Sequence, residues 1–129
     1  MGRVDDLKPR YEKFSQGDID GATDIWSDDF TWEGGNTEGL PGSGTHEGKD
    51  AALQVLGEAV GAWDNFELTP DEWYEEGDTA IVLAHTKVTK GDKTEEIPVV
   101  HIWRFRDGEV TRLQILTDTL QSARILGVA

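Results

Sequence analysis

The feature that most constrains the fold is a run of four β-segments in the second half of the chain. The turns between them carry glycine and aspartate, which tight hairpins favour because such turns need positive φ. The predicted strands are residues 66–74, 79–89, 94–105 and 109–117. Strands joined in this way form an antiparallel meander. Since these strands are longer than usual, we expect the sheet to bend strongly and to have a concave side.

The first half of the chain is predicted to be mainly helical. Leu7, Tyr11 and Phe14 recur at helical spacing and end before Gly17. Asp18 is the predicted cap of a second helix, whose apolar face is Ile19, Ala22, Ile25 and Trp26. A short strand over residues 30–33, a glycine-rich loop over 34–44 and a third helix over 48–61 follow.

The last helix is predicted to begin after Asp118, which matches a capping box, and to end at Gly127. The fold class is therefore α+β, with helices packed on a strongly curved antiparallel sheet. A chain of 129 residues suits one domain, so we predict a single domain over residues 1–129.

Both faces of the central strands are apolar. Ala80 and Val82 lie on one face of a strand, and Ile81 and Leu83 lie on the other. An antiparallel sheet with one wet face would instead alternate apolar and polar residues. The helices can cover only one face, so we expect the outer face to pack on a second subunit, most simply in a C2 homodimer.

The net charge of −14, from 26 acidic and 12 basic residues, disfavours nucleic-acid binding. This acidity is either a solubilising surface or an adaptation to high salt, and both interpretations remain open.

No apolar run is long enough to span a membrane, and the N-terminus lacks the apolar core of a secretory signal. Cysteine is absent, which excludes disulfides and thiolate metal sites. We expect a cytoplasmic protein without nucleic-acid or membrane partners.

Three scattered histidines, His46, His85 and His101, do not have the spacing of a metal site, so neither a metal nor a cofactor is predicted. His46 is expected at the surface or against a lid, and His85 at an exposed or interfacial position. The loop over 34–44 lacks the Gly-Lys-Ser/Thr ending of a phosphate-binding loop. We interpret it as a mobile loop or a lid over a cavity.

His101 shares its strand face with Val99 and Trp103. A titratable group on such a face is either a hydrogen-bonded core residue or the working group of a pocket. With a reference pKa near 6.5, an imidazole can both accept and release a proton near neutral pH. Asp118 either caps the last helix or lies beside His101 as its orienter. The large aromatic side chains are either core or the walls of a pocket for a flat ligand.

Four segments occur in an order that resembles the SnoaL-like branch of the nuclear transport factor two-like superfamily. They are Gly17-Asp-Ile-Asp-Gly21, Ile25-Trp-Ser-Asp-Asp-Phe-Thr-Trp32, Gly44-Thr-His-Glu-Gly48 and His101-Ile-Trp-Arg-Phe-Arg-Asp-Gly-Glu-Val110. The resemblance runs from about residue 6 to residue 127. It implies a cone-shaped roll around a deep pocket, commonly in a dimer. Members include ketosteroid isomerases, polyketide cyclases, limonene epoxide hydrolases and proteins without an assigned reaction, so the fold leaves the function open.

Residue by residue, the isomerase carboxylates align with Gly34 and His101, and the isomerase tyrosine aligns near Arg10, one residue from Tyr11. The isomerase set is therefore not present. The SnoaL-like cyclases use a carboxylate near the end of the last strand with a histidine nearby, and the nearest matches here are Asp118 and His101.

The resemblance thus implies cofactor-independent acid/base chemistry on a small apolar carbonyl or epoxide compound, such as isomerisation, aldol-type cyclisation or hydration. His101 is the predicted acid/base and Asp118 its orienter. The predicted substrate-binding residues are Tyr11, Trp32, Trp63 and Trp103. The alternative is a non-catalytic ligand-binding or dimerisation module with the same fold.

Overall fold

The computed structural model describes residues 2–129, which form four helices and six strands. In chain order these are α1 (Arg3–Ser15), α2 (Ile19–Ala22), β1 (Trp26–Glu33), β2 (Thr45–Glu47), α3 (Lys49–Gly61), β3 (Asn65–Glu76), β4 (Thr79–Lys90), β5 (Lys93–Arg106), β6 (Glu109–Thr117) and α4 (Thr119–Leu126). The strands make one sheet in the order β2-β1-β6-β5-β4-β3. Strands β3 to β6 pair antiparallel, each with the next, so the predicted α+β class and meander are confirmed.

The turn between β5 and β6 follows the predicted hairpin chemistry. Asp107 has φ +52° and Gly108 has φ +83°, and two successive positive φ values are typical of the turn whose twist matches antiparallel strands. The register shifts between Pro70 and Glu72 in β3, and again beside Phe105 in β5. Such bulges bend a strand and increase its twist, so the long strands curve around an interior.

The second helix and the first strand differ from the sequence prediction. Helix α2 is a single turn that ends at Ala22, and β1 already begins at Trp26 instead of residue 30. The reason is a long-range pairing, because β1 lies parallel to β6 and the Val110 amide donates to the Ile25 carbonyl at 2.8 Å. The short strand β2, which was not predicted, pairs antiparallel with the end of β1.

Helix α1 is anchored to the sheet at its N-terminus. The carboxylate of Glu75 in β3 accepts hydrogen bonds from the amides of Arg3 and Val4, at 3.1 and 3.0 Å. These amides have no partner inside the helix, and a carboxylate is favourable at this end of a helix dipole. The anchored helix buries Leu7 and Tyr11 against the concave side of the sheet.

The convex side of the sheet carries a row of apolar side chains that are only partly buried within this chain. The strand register places them side by side: Ile81, Leu83, Val100, Ile102 and Leu116. Within residues 2–129, no helix is long and apolar enough to cross a membrane.

Candidate functional site

The concave side of the sheet and the helices enclose a cavity of about 190 Å³. For comparison, an engineered cavity of about 150 Å³ in another protein holds benzene, so a ligand of one or two fused rings fits here. The walls are mostly apolar and include Leu7, Trp26, Trp32, Trp63, Val99 and Leu113. Among residues 2–129, no aspartate or glutamate lines the cavity.

His101 reaches the cavity because alternate side chains of β5 point to the concave face, where Val99 and Trp103 flank it. Only 8% of His101 is exposed. Burial disfavours the charged imidazolium and lowers the pKa of His101 to about 4. The imidazole is therefore neutral at physiological pH.

Tyr11 on α1 meets His101 inside the core. The Tyr11 hydroxyl oxygen lies 2.6 Å from Nδ1 of His101 and accepts a hydrogen bond from Nε1 of Trp103 at 2.8 Å. Burial raises the pKa of Tyr11 well above its ordinary value, so the phenol keeps its proton. Among residues 2–129, no group hydrogen-bonds Nε2 of His101, which leaves this nitrogen for a ligand in the cavity.

The structure does not bring Asp118 to His101. Its carboxylate accepts the Gln121 amide at 3.0 Å as the N-cap of α4, and the residue is exposed and does not line the cavity. The predicted capping role is present, whereas the predicted orienting contact is not: Asp118 lies outside the cavity, and the partner of Nδ1 of His101 is Tyr11. Local capping chemistry accounts for Asp118 in this fold.

The glycine-rich loop over residues 34–44 lies across the cavity. Nε1 of Trp32 donates to the Gly42 carbonyl at 2.8 Å, and the hydroxyls of Thr37 and Thr119 join the loop to α4 at 2.7 Å. Gly34 packs so closely on Gly42 that a Cβ would collide with the carbonyl oxygen. The loop is thus held by specific contacts over the ligand space.

The four predicted substrate-binding residues all line the cavity: Tyr11, Trp32, Trp63 and Trp103. The contact of Tyr11 with His101 was not foreseen, because it joins residues ninety positions apart. The periodicity that places Tyr11 on the buried face of α1 was the available signal.

Arg10, His46 and His85 each have a local partner. Arg10 lines the cavity, but its guanidinium is bound by Asp24 at 2.7 Å and by a main-chain carbonyl. His46 contacts the Ser43 carbonyl at 2.9 Å. On the convex side, hydrogen bonding to Asp71 raises the pKa of His85. Within the described residues, no cluster of three His, Asp or Glu side chains could hold a metal ion.

The fold and the site together define a class of protein, an α+β cone whose curved sheet and helices surround an apolar cavity with few polar groups. The sequence model of the SnoaL-like domain matches residues 10–113, most of the chain. The chain belongs to the SnoaL-like domain family. Among curated proteins, none matches this sequence significantly.

Solved structures share this fold over nearly their whole length. TerC, crystallised with polyporic acid, is 26% identical, with 96% of this chain and 97% of TerC covered and a TM-score of 0.86. An NTF2-like protein of unknown function from Burkholderia pseudomallei is 25% identical, with 95% of each chain covered and a TM-score of 0.86. A protein from Jannaschia sp. CCS1 described as a SnoaL-like polyketide cyclase is 17% identical, with 98% of this chain and 90% of that chain covered and a TM-score of 0.76. This likeness concerns the fold alone.

Proposed function

We propose that this protein binds a small, flat, apolar carbonyl compound in the cavity and promotes cofactor-independent isomerisation or cyclisation. The observation that carries the proposal is a single ring nitrogen, Nε2 of His101, left free in a cavity with mostly apolar walls. Apolar walls provide affinity, and a few placed polar groups orient a ligand. In this proposal His101 contacts the carbonyl oxygen of the substrate.

Two further observations support a ligand of this kind. The side chains of Trp32, Trp63 and Trp103 present broad apolar surfaces to the cavity, and such surfaces favour a flat ring. TerC, 26% identical over almost the whole chain, was co-crystallised with polyporic acid, and this supports a small-molecule ligand for the present chain.

The second candidate is a non-catalytic protein that binds the same class of ligand. It is favoured by the lining of the cavity, which has no carboxylate among residues 2–129, so the usual partner for proton abstraction is not found there. A neutral His101 alone would then serve to hold the ligand.

Exchange of hydrogen for deuterium at the carbon next to the carbonyl of 1-indanone separates the two candidates. 1-Indanone is a fused bicyclic ketone, and NMR in D₂O follows its exchange. An enzyme that stabilises the enolate, while a buffer base or hydroxide takes the α-proton, should accelerate exchange above the buffer rate, and His101→Phe should reduce this acceleration by about 100-fold or more. His85→Gln, on the convex side, serves as the matched control. Binding without exchange favours the second candidate, and no binding of 1-indanone or similar ketones would contradict both.

We also propose that the convex apolar row packs on a second copy of the chain. The row lies on the face opposite His101, and a contiguous apolar surface of this kind is typical of a subunit interface.

A further inference from the structure

We propose that Trp103, Tyr11 and His101 form a one-way chain of hydrogen bonds that fixes His101 as a neutral Nε2–H donor. The cavity would then select ligands that present an acceptor oxygen to this N–H, such as a ketone, a quinone or an enolate. The ligand part of this inference rests on the proposed function, whereas the protonation of His101 can be tested without any ligand.

The direction of the chain follows from the donor inventory of the three side chains. An indole N–H can only donate, so Trp103 must donate to the Tyr11 oxygen that lies 2.8 Å away. The second contact of that oxygen, at 2.6 Å, is Nδ1 of His101. Either the Tyr11 hydroxyl donates to Nδ1, or an Nδ1–H donates to the hydroxyl oxygen.

Among the described residues, the first arrangement leaves one polar group of the network without a partner, the Nε2–H of His101, whereas the second leaves two, a bare Nε2 and the Tyr11 hydroxyl hydrogen. If Nδ1 carried the proton, the Tyr11 oxygen would accept two hydrogen bonds and its own hydrogen would need a third partner. Within residues 2–129, no third group contacts that oxygen. Each buried polar group without a partner is costly, so the arrangement with fewer of them is favoured and the Tyr11 hydroxyl donates to Nδ1. The proton of the neutral imidazole must then reside on Nε2.

The surroundings keep this arrangement constant near neutral pH. Burial lowers the pKa of His101 to about 4 and raises that of Tyr11. The residues paired with His101 on the neighbouring strands are apolar, Val82 on β4 and Ile115 on β6. Within the described chain, Arg10 is the one charged residue that lines the cavity, and it is already paired with Asp24. Among residues 2–129, no carboxylate and no second histidine lines the cavity around His101.

This geometry gives His101 a different role from the acid/base predicted from the sequence. A nitrogen that already carries its proton cannot abstract another, but a neutral imidazole N–H can stabilise developing negative charge on a carbonyl oxygen. His101 is thus the ligand-contacting donor, and Tyr11 and Trp103 are positioning residues that act through it.

The protonation state is measured by long-range ¹H–¹⁵N correlation spectra of the histidine rings. Comparison with His101→Phe identifies the His101 signals. We expect proton-bearing Nε2 and bare Nδ1 throughout the range from about pH 6 to pH 8. In Tyr11→Phe the hydrogen bond from the Tyr11 hydroxyl to Nδ1 is lost, so the proton should be found on Nδ1 in some molecules and on Nε2 in others. A wild-type spectrum with the proton on Nδ1, or with two protonated nitrogens, overturns the proposal.

Ligand selectivity is measured by calorimetric titration with 1-indanone and with indane, which differ only in the carbonyl group. The preference for 1-indanone over indane should be about tenfold greater in the wild-type protein than in His101→Phe. The control His85→Gln should keep the wild-type preference. An equal preference in wild type and His101→Phe overturns the selectivity. If neither compound binds, the proposed function and its ligand selectivity fail together, while the ring spectra still decide the state of His101.

Discussion

Replacing Tyr11 by phenylalanine removes one buried oxygen atom that satisfies two neighbours. Nδ1 of His101 loses its donor, and Nε1–H of Trp103 loses its acceptor. A buried polar group left without a partner costs about 1–3 kcal/mol, so the two together should lower the free energy of unfolding by about 2–6 kcal/mol. Domains of this size have about 5–15 kcal/mol in total, so the loss should be easily measured.

The assay is urea denaturation at neutral pH, with the free energy of unfolding taken from curves of equal slope. The matched control is Tyr74→Phe, because Tyr74 is 52% exposed and its hydroxyl bonds only to the surface residue Glu72. That change should stay within about 0.5 kcal/mol of the wild-type value.

A double-mutant cycle adds His101→Phe and the pair Tyr11→Phe/His101→Phe. Each single variant leaves one partner of the Tyr11–His101 hydrogen bond unsatisfied, whereas the double variant removes both partners. The cost of the double variant should therefore be smaller than the sum of the single costs by about 1–3 kcal/mol. The reasoning is refuted if Tyr11→Phe costs no more than Tyr74→Phe, or if the two single effects simply add.

Three other predictions address the pH response, the loop and the convex face. Because burial lowers the pKa of His101 from 6.5 to about 4, only the unfolded chain binds that proton between these values. The free energy of unfolding should therefore fall between about pH 7.5 and pH 4, and the fall should be roughly 3 kcal/mol larger in the wild type than in His101→Phe. An equal fall in the two proteins would contradict the burial of a neutral imidazole. Gly34→Ala should lower the free energy of unfolding, measured in urea, by more than about 2 kcal/mol, because the new Cβ collides with the Gly42 carbonyl. The control is Gly57→Ala in α3, whose new Cβ meets nothing within 4 Å and which should be slightly stabilising. Light scattering at micromolar concentration should give twice the mass of one chain, and Leu83→Glu should give a monomer; a monomeric wild type would rule out the dimer.

The parts of the fold that local chemistry determines were predictable from the sequence. The hairpin at Gly108 has the residues that positive φ demands, and the cap at Asp118 has the side chain that a helix N-terminus needs. The early start of β1 at Trp26 was not predictable, because its pairing with β6 joins segments about eighty residues apart and leaves no local pattern.

The same distinction applies to the site. Strand alternation placed His101 and Trp103 on one face, and helical periodicity placed Tyr11 on the buried side of α1. Whether these faces meet depends on the crossing of α1 over the sheet, which the Glu75 anchor fixes and which no spacing reveals. Asp118 was paired with His101 because the SnoaL-like cyclases have a carboxylate near the end of the last strand with a histidine nearby, yet the Asp118 side chain caps α4.

The most direct measurement is a high-resolution crystal structure of the wild-type protein with 1-indanone. The ligand should lie in the cavity between the tryptophan side chains, with its carbonyl oxygen about 2.7–3.2 Å from Nε2 of His101. The Tyr11 hydroxyl should remain on Nδ1. A ligand bound outside the cavity, or bound within it with its oxygen turned away from His101, would contradict the proposed function.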